Sequence, residues 1–395
     1  MIQITNFRQG AILNHNHGKE TPDGLDIVLQ GISNGGYPVK VNGIPAIMDG
    51  AIFNAPLTLT QKINEITASV LTPYGTFSQS LMLVWDKQSF KRCNFFIDDH
   101  SFTFTELSKQ RPKHAFDHFY LAHLKKLNKL YGLKVTLNTF FHDDHHDCDL
   151  TAMPDIWKNE FIDNSDWLKF SFHAYSEFPD RPYAEADAET FGHDWDITQQ
   201  EIVRFAGEES FIAPVVIHWA NIHPAVAQEA IRRGMTCYHG PMRLRVTGGP
   251  SLASRMKGGN MNETEQRSMS GEDRAASTEG LRLHYGFQDE GSYFNKHKAF
   301  YDPTLGICFF SSTVCCNLVP LANIAPRYQD AMRINDENGV EILGSVSHEQ
   351  YSFPTYSNYL PDHLDRLESA IKTMTEGGYK PVFFSNGLLG NTAWD

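Results

Sequence analysis

The chain lacks the features that mark nucleic-acid-binding and membrane-spanning proteins. Its 34 Lys and Arg residues are outnumbered by 47 Asp and Glu residues, which gives a formal net charge of −13 at pH 7. Binding to nucleic acid requires clustered cationic side chains that neutralise phosphates, and the sequence has no basic run. No segment approaches the roughly 18 consecutive apolar residues of a membrane span. We therefore expect neither a nucleic-acid partner nor a membrane span.

Disulfide and zinc-ribbon spacings are absent as well. None of the six cysteines forms a CxxC pair, and two of them, Cys315 and Cys316, are adjacent. A disulfide framework is not expected from such spacing in a chain of this size, so the thiols are predicted to be reduced and mostly buried. The start of the chain has neither the basic region nor the apolar run of a signal peptide. The chain as given is expected to be cytoplasmic, or exported if a signal has been removed.

Two sequence patterns divide the chain. Its 395 residues exceed what one core usually supports, so two domains are expected. Over residues 1–88, apolar and polar residues alternate with a period of two between clusters of Gly, Pro, Asn and Asp, which predicts an antiparallel β-sandwich. Residues 39–43 and 49–53 resemble the immunoglobulin-like modules that are appended to carbohydrate-active enzymes.

Over residues 89–395, strand-like and helix-like segments alternate, which predicts an α/β domain with a mainly parallel sheet or barrel. One helix is predicted from Phe116 to Leu130, because apolar residues recur there at three- and four-residue intervals and Gly132 follows. Residues 241–300 break the alternation and are rich in Gly, Ser, Asn, Glu and Arg. A stretch that long is not a simple connection, so we predict an insertion at 241–300.

Three apolar stretches end abruptly in acids and histidines, namely Phe95–His100, Phe170–Glu177 and Ile342–Glu349. The carboxyl ends of parallel strands lie at one edge of a sheet or barrel, so the three endings are expected to converge on one site. Carboxylates and neutral imidazoles are the ligands of a hydrolytic zinc ion or a similar divalent metal. The sequence therefore predicts a metal-dependent hydrolase.

The order of these motifs resembles the polysaccharide deacetylase family, also called the NodB-homology family, over roughly residues 93–385. The resemblance rests on Ile97-Asp98-Asp99, Gly132 to Thr136, His173 with an acid four residues later, His348 before the last helix, and Gly378 to Phe384. It implies a distorted (β/α) barrel that holds a divalent metal, with zinc expected. By the same resemblance, Asp98 matches the catalytic base, His348 the catalytic acid, and Asp99 and His173 two metal ligands.

The chain departs from the family pattern at two positions. Where the pattern has a second histidine four residues after the first, the chain has Glu177, so the third ligand is expected to be Glu177 or a histidine from elsewhere, such as His193. The arginine that orients the base has no obvious counterpart, and Arg181 and Arg204 are candidates to replace it. Substrate-binding or orienting roles are also expected for four further residues: Tyr183, His218, Trp219 and Glu349.

The loop from His142 to Asp149 is the densest cluster of potential ligands in the sequence. It directly follows a predicted strand, so its side chains could lie near the site. Acidic residues after strands are also common turn formers, which need not bind a metal. A solvated loop with local hydrogen bonds is the preferred interpretation.

The predicted reaction is the hydrolytic removal of an acyl group, with N-acetyl expected, from an amino sugar in a glycan. A bound divalent ion supplies a strong nucleophile at neutral pH, a free carboxylate accepts the proton, and an imidazole protonates the leaving amine. Two alternatives stay open. One is a metal-independent glycoside hydrolase that uses carboxylates such as Asp98 and Glu349. The other is a carbohydrate-binding protein on the same scaffold whose catalysis has been lost. The oligomeric state is not predicted.

Overall fold

The computed structural model describes residues 2–240, 243–244 and 290–395, so most of the predicted insertion at 241–300 lies outside the described residues. The described chain is mixed α/β, with several sheets and eight α-helices. Among these helices, none has both the length and the apolar character that a membrane crossing requires.

Ten strands lie within residues 2–85. They are β1 (Ile2–Ile4), β2 (Ala11–Leu13), β3 (Lys19–Thr21), β4 (Gly24–Ser33), β5 (Val39–Val41), β6 (Ile44–Pro45), β7 (Ile47–Asp49), β8 (Ile52–Leu59), β9 (Ile63–Thr72) and β10 (Gly75–Trp85). They form two five-stranded sheets, with orders β1-β4-β8-β7 plus β3 beside β4, and β2-β10-β9-β5-β6. Strand β4 alternates buried and exposed residues along its length, because one face of its sheet packs on a core of aliphatic side chains.

Strands and helices alternate through most of the remaining chain. The strands are β11 (Arg92–His100), β12 (Val135–Phe140), β13 (His142–Asp143), β14 (Cys148–Asp149), β15 (Leu168–Ala174), β16 (Asn221–Ile222), β17 (Cys237–His239), β18 (Arg243–Leu244), β19 (Ala299–Asp302), β20 (Ile307–Phe310), β21 (Val314–Cys315), β22 (Ile342–His348) and β23 (Lys380–Pro381). The helices are α1 (Phe102–Gln110), α2 (Phe119–Tyr131), α3 (Lys158–Ile162), α4 (Ala188–Ala206), α5 (Pro224–Arg232), α6 (Glu290–His297), α7 (Leu321–Asn338) and α8 (His363–Glu376). The predicted helix before Gly132 is confirmed as α2, and Gly132 ends it with φ 67°.

The central sheet has the strand order β15-β12-β11-β22-β21, with β23 also pairing with β11, and these pairs are parallel. Strand β11 is buried along its whole length, because helices cover one side and other strands the other. In the pairing of β11 with β22, Asp98 lies opposite His348. Parallel pairing therefore brings two of the three polar strand ends side by side.

Backbone hydrogen bonds continue from β15 through four further segments and return to β22. They are Ile212 N to Phe170 O (2.9 Å), His239 N to Val215 O (2.6 Å), Gly240 N to Phe310 O (2.6 Å) and Thr313 N to Gly344 O (2.8 Å). The segment 211–217 thus lies beside β15, and β17 and β20 lie between that segment and β22. This arrangement brings His218, which follows the segment, near the ends of β11 and β15.

A buried ion pair fixes the start of β11. The Arg92 guanidinium is 1% exposed and donates to Asp86 Oδ2 at 3.0 Å. It also donates to the carbonyl oxygens of Leu389 and Leu388, at 2.7 and 3.2 Å. Because the guanidinium has several partners, its burial is compensated, and the strand that carries Asp98 is held to the C-terminal segment.

Candidate metal centre

Strand β11 is irregular where it carries two successive acids. Its register with β12 shifts between Ile97 and His100, and Asp99 has φ 58°. Successive side chains of a regular strand point to opposite faces, but a bulge re-aims them. Asp98 lies opposite His348 in the sheet, and Asp99 Oδ2 is 4.0 Å from His348 Nε2. The irregularity therefore lets Asp99 approach the imidazole of His348, while Asp98 stays its register partner in the sheet.

Three buried ligand atoms form a nearly equilateral triangle. Asp99 Oδ1 is 3.2 Å from His173 Nε2 and 3.3 Å from His218 Nδ1, and the two nitrogens are 3.2 Å apart. All three residues are less than 9% exposed. They come from the ends of β11 and β15 and from the turn after segment 211–217, so no short sequence motif contains them.

The triangle fits a small divalent cation. Metal bonds of about 2.0–2.1 Å at tetrahedral angles separate ligand atoms by roughly 3.3 Å, which is the spacing of the three atoms. Asp99 Oδ1 is also a buried acceptor without a hydrogen bond of acceptable geometry, although both imidazole nitrogens lie close to it. Two imidazole lone pairs and a carboxylate at such distances repel one another unless protons or a cation lie between them. This group could therefore hold a metal ion.

The turn at His218 is built to present one ring nitrogen. Trp219 and Ala220 both have positive φ, 64° and 49°, so the chain reverses sharply after His218. His218 Nε2 lies 3.3 Å from the backbone oxygen of Glu177, to which it can donate. That bond leaves the Nδ1 lone pair directed at Asp99 and His173, the arrangement that ligating histidines usually adopt.

Asparagine Asn138, in the middle of buried strand β12, holds Asp98. Its Nδ2 donates to Asp98 Oδ1 at 2.6 Å, which leaves Oδ2 of Asp98 without a partner among the described residues. Burial and the neighbouring charge of Asp99 raise the pKa of Asp98 well above its usual range, and the bond from Asn138 opposes this rise. A buried carboxyl group with a raised pKa beside other titratable groups is a candidate functional residue.

A second asparagine, Asn317, holds His348. Asn317 Oδ1 lies 3.0 Å from His348 Nδ1, so this nitrogen carries the proton and Nε2 is the atom that faces Asp99. The Cys315 thiol donates to the same oxygen at 3.1 Å. Burial raises the pKa of Cys315, which makes it a poor nucleophile. All six cysteines are free thiols and four are buried, as the sequence predicted.

The pKa values of Asp99 and His173 favour the charge states that bind a metal. Burial acts to raise the pKa of Asp99, but His348 and the contacts with His173 and His218 hold it well below its usual range. Burial lowers the pKa of His173 to about 4. An ionised carboxylate and a neutral imidazole are the forms that coordinate a metal.

The third vertex of the triangle differs from the expected one, since it is His218 rather than Glu177. The Glu177 carboxylate accepts hydrogen bonds from His145 Nε2 at 2.7 Å and Gln350 Nε2 at 2.8 Å, and only its backbone oxygen contacts His218. The alternative ligand His193 lies exposed on α4. Residue spacing at the end of β15 could not show that His218, from another segment, takes the position of the third ligand.

Three further expected site residues have structural partners instead. Glu349 is fully buried and accepts the backbone N–H groups that begin α1, so it cannot reach a substrate. Arg204, on α4, donates to Glu201 and to the backbone oxygen of Leu150. The buried Tyr183 hydroxyl donates to Asp194 at 2.9 Å. In each case the polar group is occupied by hydrogen bonds within the fold, which the sequence pattern does not show.

The loop His142–Asp149 is held by hydrogen bonds within the loop and to neighbouring segments. Asp143 accepts from the Thr105 hydroxyl at 2.7 Å and lies 2.8 Å from His146 Nδ1, while Asp144 accepts from the Phe178 backbone. Asp149 begins a short 3-10 helix by accepting from Thr151. The contacts of Asp149 and His146 are the local hydrogen bonds that were expected, whereas Asp143 is buried and the bonds to Thr105 and Phe178 join the loop to distant segments.

Comparisons with known proteins add no family assignment to this mixed α/β chain. No protein-family model matches it, and no curated protein matches it. Among solved structures, it is similar to a candidate alpha-galactosidase from Bacteroides fragilis NCTC 9343, with 10% identity and a TM-score of 0.24, over 95% of this chain and 78% of that chain. A likeness of that size carries no argument about fold or function.

Proposed function

We propose that this protein is a metal-dependent hydrolase of the polysaccharide deacetylase type, which removes N-acetyl groups from amino sugars in a glycan. The observation that carries the proposal is the triangle of Asp99, His173 and His218, with Asp98 and His348 beside it. Zinc is the proposed metal because it favours imidazole nitrogen and carboxylate oxygen in a tetrahedral arrangement. The circular order of backbone hydrogen bonds from β15 to β22 supports a distorted (β/α) barrel.

The side chains divide the chemical work between them. A divalent ion in the triangle would lower the pKa of water towards about 7 and stabilise the negative charge that develops on the amide oxygen. Asp98 is left outside the triangle, and its Oδ2 is free to accept the proton of the attacking water, because Oδ1 is held by Asn138. His348 uses Nε2 to protonate the leaving amine, because Nδ1 is held by Asn317. General acid–base pairs of this kind typically contribute about 10²–10⁴-fold each.

The first alternative, a metal-independent glycoside hydrolase, needs two reachable carboxyl groups. Glu349, the expected second carboxylate, has 0% exposure and three backbone donors. The second alternative, a carbohydrate-binding protein without catalysis, was motivated by the missing histidine and arginine. His218 and Asn138 now stand at positions that could supply both roles, so neither alternative is favoured.

The test is acetate release from N-acetylated oligosaccharides, combined with metal analysis of the purified protein. We expect close to one metal ion per chain, loss of activity with the chelator dipicolinate, and recovery on addition of Zn²⁺. Activity that is indifferent to chelation would favour the glycoside hydrolase. Tight glycan binding without acetate release, at substoichiometric metal, would favour the non-catalytic protein.

A further inference from the structure

An arginine and a tryptophan form a stacked pair beside the metal centre. The guanidinium carbon of Arg181 lies 4.7 Å from the centroid of the Trp219 ring, within the range of a cation–π contact. The Trp219 ring is in turn 5.9 Å from the ring of His218, one vertex of the triangle. Trp219 is 49% exposed, whereas His218 is buried. The pair therefore lies between the solvent and His218 of the candidate metal centre.

The backbone at both residues has an unusual conformation. Arg181 has φ 55° and Trp219 has φ 64°, and bulky side chains rarely adopt this left-handed region. Residues in this region are strained and persist where the surrounding structure enforces them, often at ligand-binding sites. Without these two turns, neither side chain would be presented in this place.

The Arg181 guanidinium keeps its charge available. Within residues 2–240, 243–244 and 290–395, no carboxylate lies within ion-pairing distance of it, and its side-chain contact is with the Trp219 ring. The acid four residues earlier, Glu177, is engaged by His145 and Gln350. The guanidinium carbon lies over the indole ring, and no hydrogen bond from the Arg181 side chain is found within the described residues, so its N–H donors remain for another acceptor.

The geometry points to a subsite for a carboxylate-bearing sugar at Arg181 and Trp219, so that the glycan substrate is acidic rather than neutral. The planar fork of N–H donors matches a carboxylate in a bidentate manner, and stacking on Trp219 pre-orients that fork. The inference rests on the proposed function for the reaction that takes place next to the subsite. The net charge of −13 does not oppose it, because at physiological salt a charge acts over only about 8 Å and the nearby cation dominates.

The subsite is tested by binding rather than turnover, with the full chain carrying Asp98→Asn and titration calorimetry. Three oligosaccharides of equal length serve as probes: neutral oligomers of N-acetylglucosamine, oligomers that alternate N-acetylglucosamine with glucuronic acid, and a sulfated neutral oligomer. We expect the carboxylated probe to bind at least tenfold more tightly than the neutral one. Arg181→Gln should lower affinity for the carboxylated probe by about 10–100-fold, because it removes charge-assisted hydrogen bonds, and leave the neutral probe unchanged.

Further variants separate the two partners of the stack. Arg181→Lys should recover only part of the affinity, because an ammonium lacks the planar fork. Trp219→Leu should weaken every probe. Matched controls are Arg327→Gln on α7 and Tyr74→Leu at the end of the β-sandwich, both exposed positions away from the centre, and neither should change binding.

Several outcomes would overturn the subsite. The subsite is refuted if the neutral and carboxylated probes bind with equal affinity. It is also refuted if Arg181→Gln weakens all probes equally, or if the sulfated probe binds as tightly as the carboxylated one. The proposed function fails separately: an unmodified protein that binds the carboxylated probe through Arg181 but releases no acetate keeps the subsite and loses the reaction. Acetate release without any preference for carboxylated glycans would keep the proposed function and overturn the subsite.

Discussion

Two carboxylate–imidazole groups lie at the ends of the same two strands, β11 and β22, and they differ in what completes them. Asp99 belongs to the candidate metal centre and lies 4.0 Å from His348, whereas their sequence neighbours His100 and Glu349 form a separate buried pair, 2.6 Å apart. Glu349 accepts three backbone N–H groups at the start of α1, from Ser101, Phe102 and Thr103, at 2.7, 2.9 and 3.0 Å.

The carboxylates of Glu349 and Asp99 differ in how many of their oxygens have hydrogen-bond donors, not in their chemical type. The Glu349 carboxylate is saturated by the helix N-terminus, whose N–H groups and dipole stabilise a negative charge. Burial acts to raise the pKa of Glu349, but His100 and these donors hold it below its usual range. Asp99 Oδ1 has no hydrogen bond of acceptable geometry. The Glu349 carboxylate is therefore engaged by backbone donors, whereas the Asp99 carboxylate has an oxygen available for a ligand.

The largest effect is expected from His218→Ala, which removes one vertex of the triangle. The metal content should fall from about one per chain to near zero, and acetate release by at least about 10³-fold, because a bound ion contributes several kcal/mol to the transition state. Asp99→Ala and His173→Ala should behave alike. The matched control is Glu177→Gln, which should retain the metal; retention of metal by His218→Ala and its loss in Glu177→Gln would reverse our assignment.

The next effect concerns the two groups outside the triangle. Asp98→Asn and His348→Gln should keep the metal and lower kcat by about 10²–10⁴-fold, as losses of a general base or acid typically do. Elemental analysis and steady-state kinetics on the same preparations measure both quantities. If Asp98→Asn lost the metal while Asp99→Asn kept it, the roles of the two acids would be exchanged.

The structural pair should fail through stability. Glu349→Gln leaves His100 and the start of α1 without the carboxylate, so the free energy of unfolding should fall by about 3 kcal/mol, because buried donors lose hydrogen bonds to a charged group. Urea denaturation of the metal-free protein measures this loss, with metal-free Asp99→Asn as the matched control that should lose little. Full acetate release per folded molecule is expected for Glu349→Gln, and its abolition would contradict a purely structural role for Glu349.

A smaller effect is expected at the asparagines that hold the acid and the base. Asn138→Leu and Asn317→Leu should retain the metal and lower kcat by about 10–100-fold, as outer partners of a metal site typically do, with little change in KM. Asn138→Gln and Asn317→Gln keep the amide and should recover part of the rate. A loss of stability alone, with kcat per folded molecule unchanged, would make these residues structural.

The smallest effect is a dependence of stability on pH through His363, which lies outside both groups. Burial lowers its pKa to about 3, and its nitrogens contact the Ser347 and Ser352 hydroxyls at 2.7 and 2.6 Å. The unfolded chain binds the proton near pH 6.5, so its contribution is complete above that value and is lost, by up to about 1.4 kcal/mol per pH unit, as pH falls. Urea midpoints at pH 7 and 5 should converge in His363→Gln, and an unchanged pH slope would contradict this role.

The sequence alone identified the polar ends of three strands, because a buried strand needs a continuous apolar run and a sudden acid or imidazole ends that run. Asp98, Asp99, His173 and His348 all stand at the ends of such runs, and the structure brings these ends together. The signals of Asn138 and Asn317 were present but not used: Asn138 is a polar residue inside the buried strand β12, and Asn317 follows two buried or half-buried cysteines.

Only the tertiary structure decided which of several equivalent residue types act together. His218 rather than Glu177 completes the triangle, because separate segments meet through backbone hydrogen bonds that spacing along the chain does not encode. Glu349, which follows the last residue of β22, accepts backbone N–H groups at the start of α1, and no pattern along the chain shows a contact between residues 248 apart. The sequence therefore determines which chemical groups are available near the strand ends. Function depends on distances of a few ångströms and on which hydrogen bonds are satisfied, and both are set only when distant segments pack.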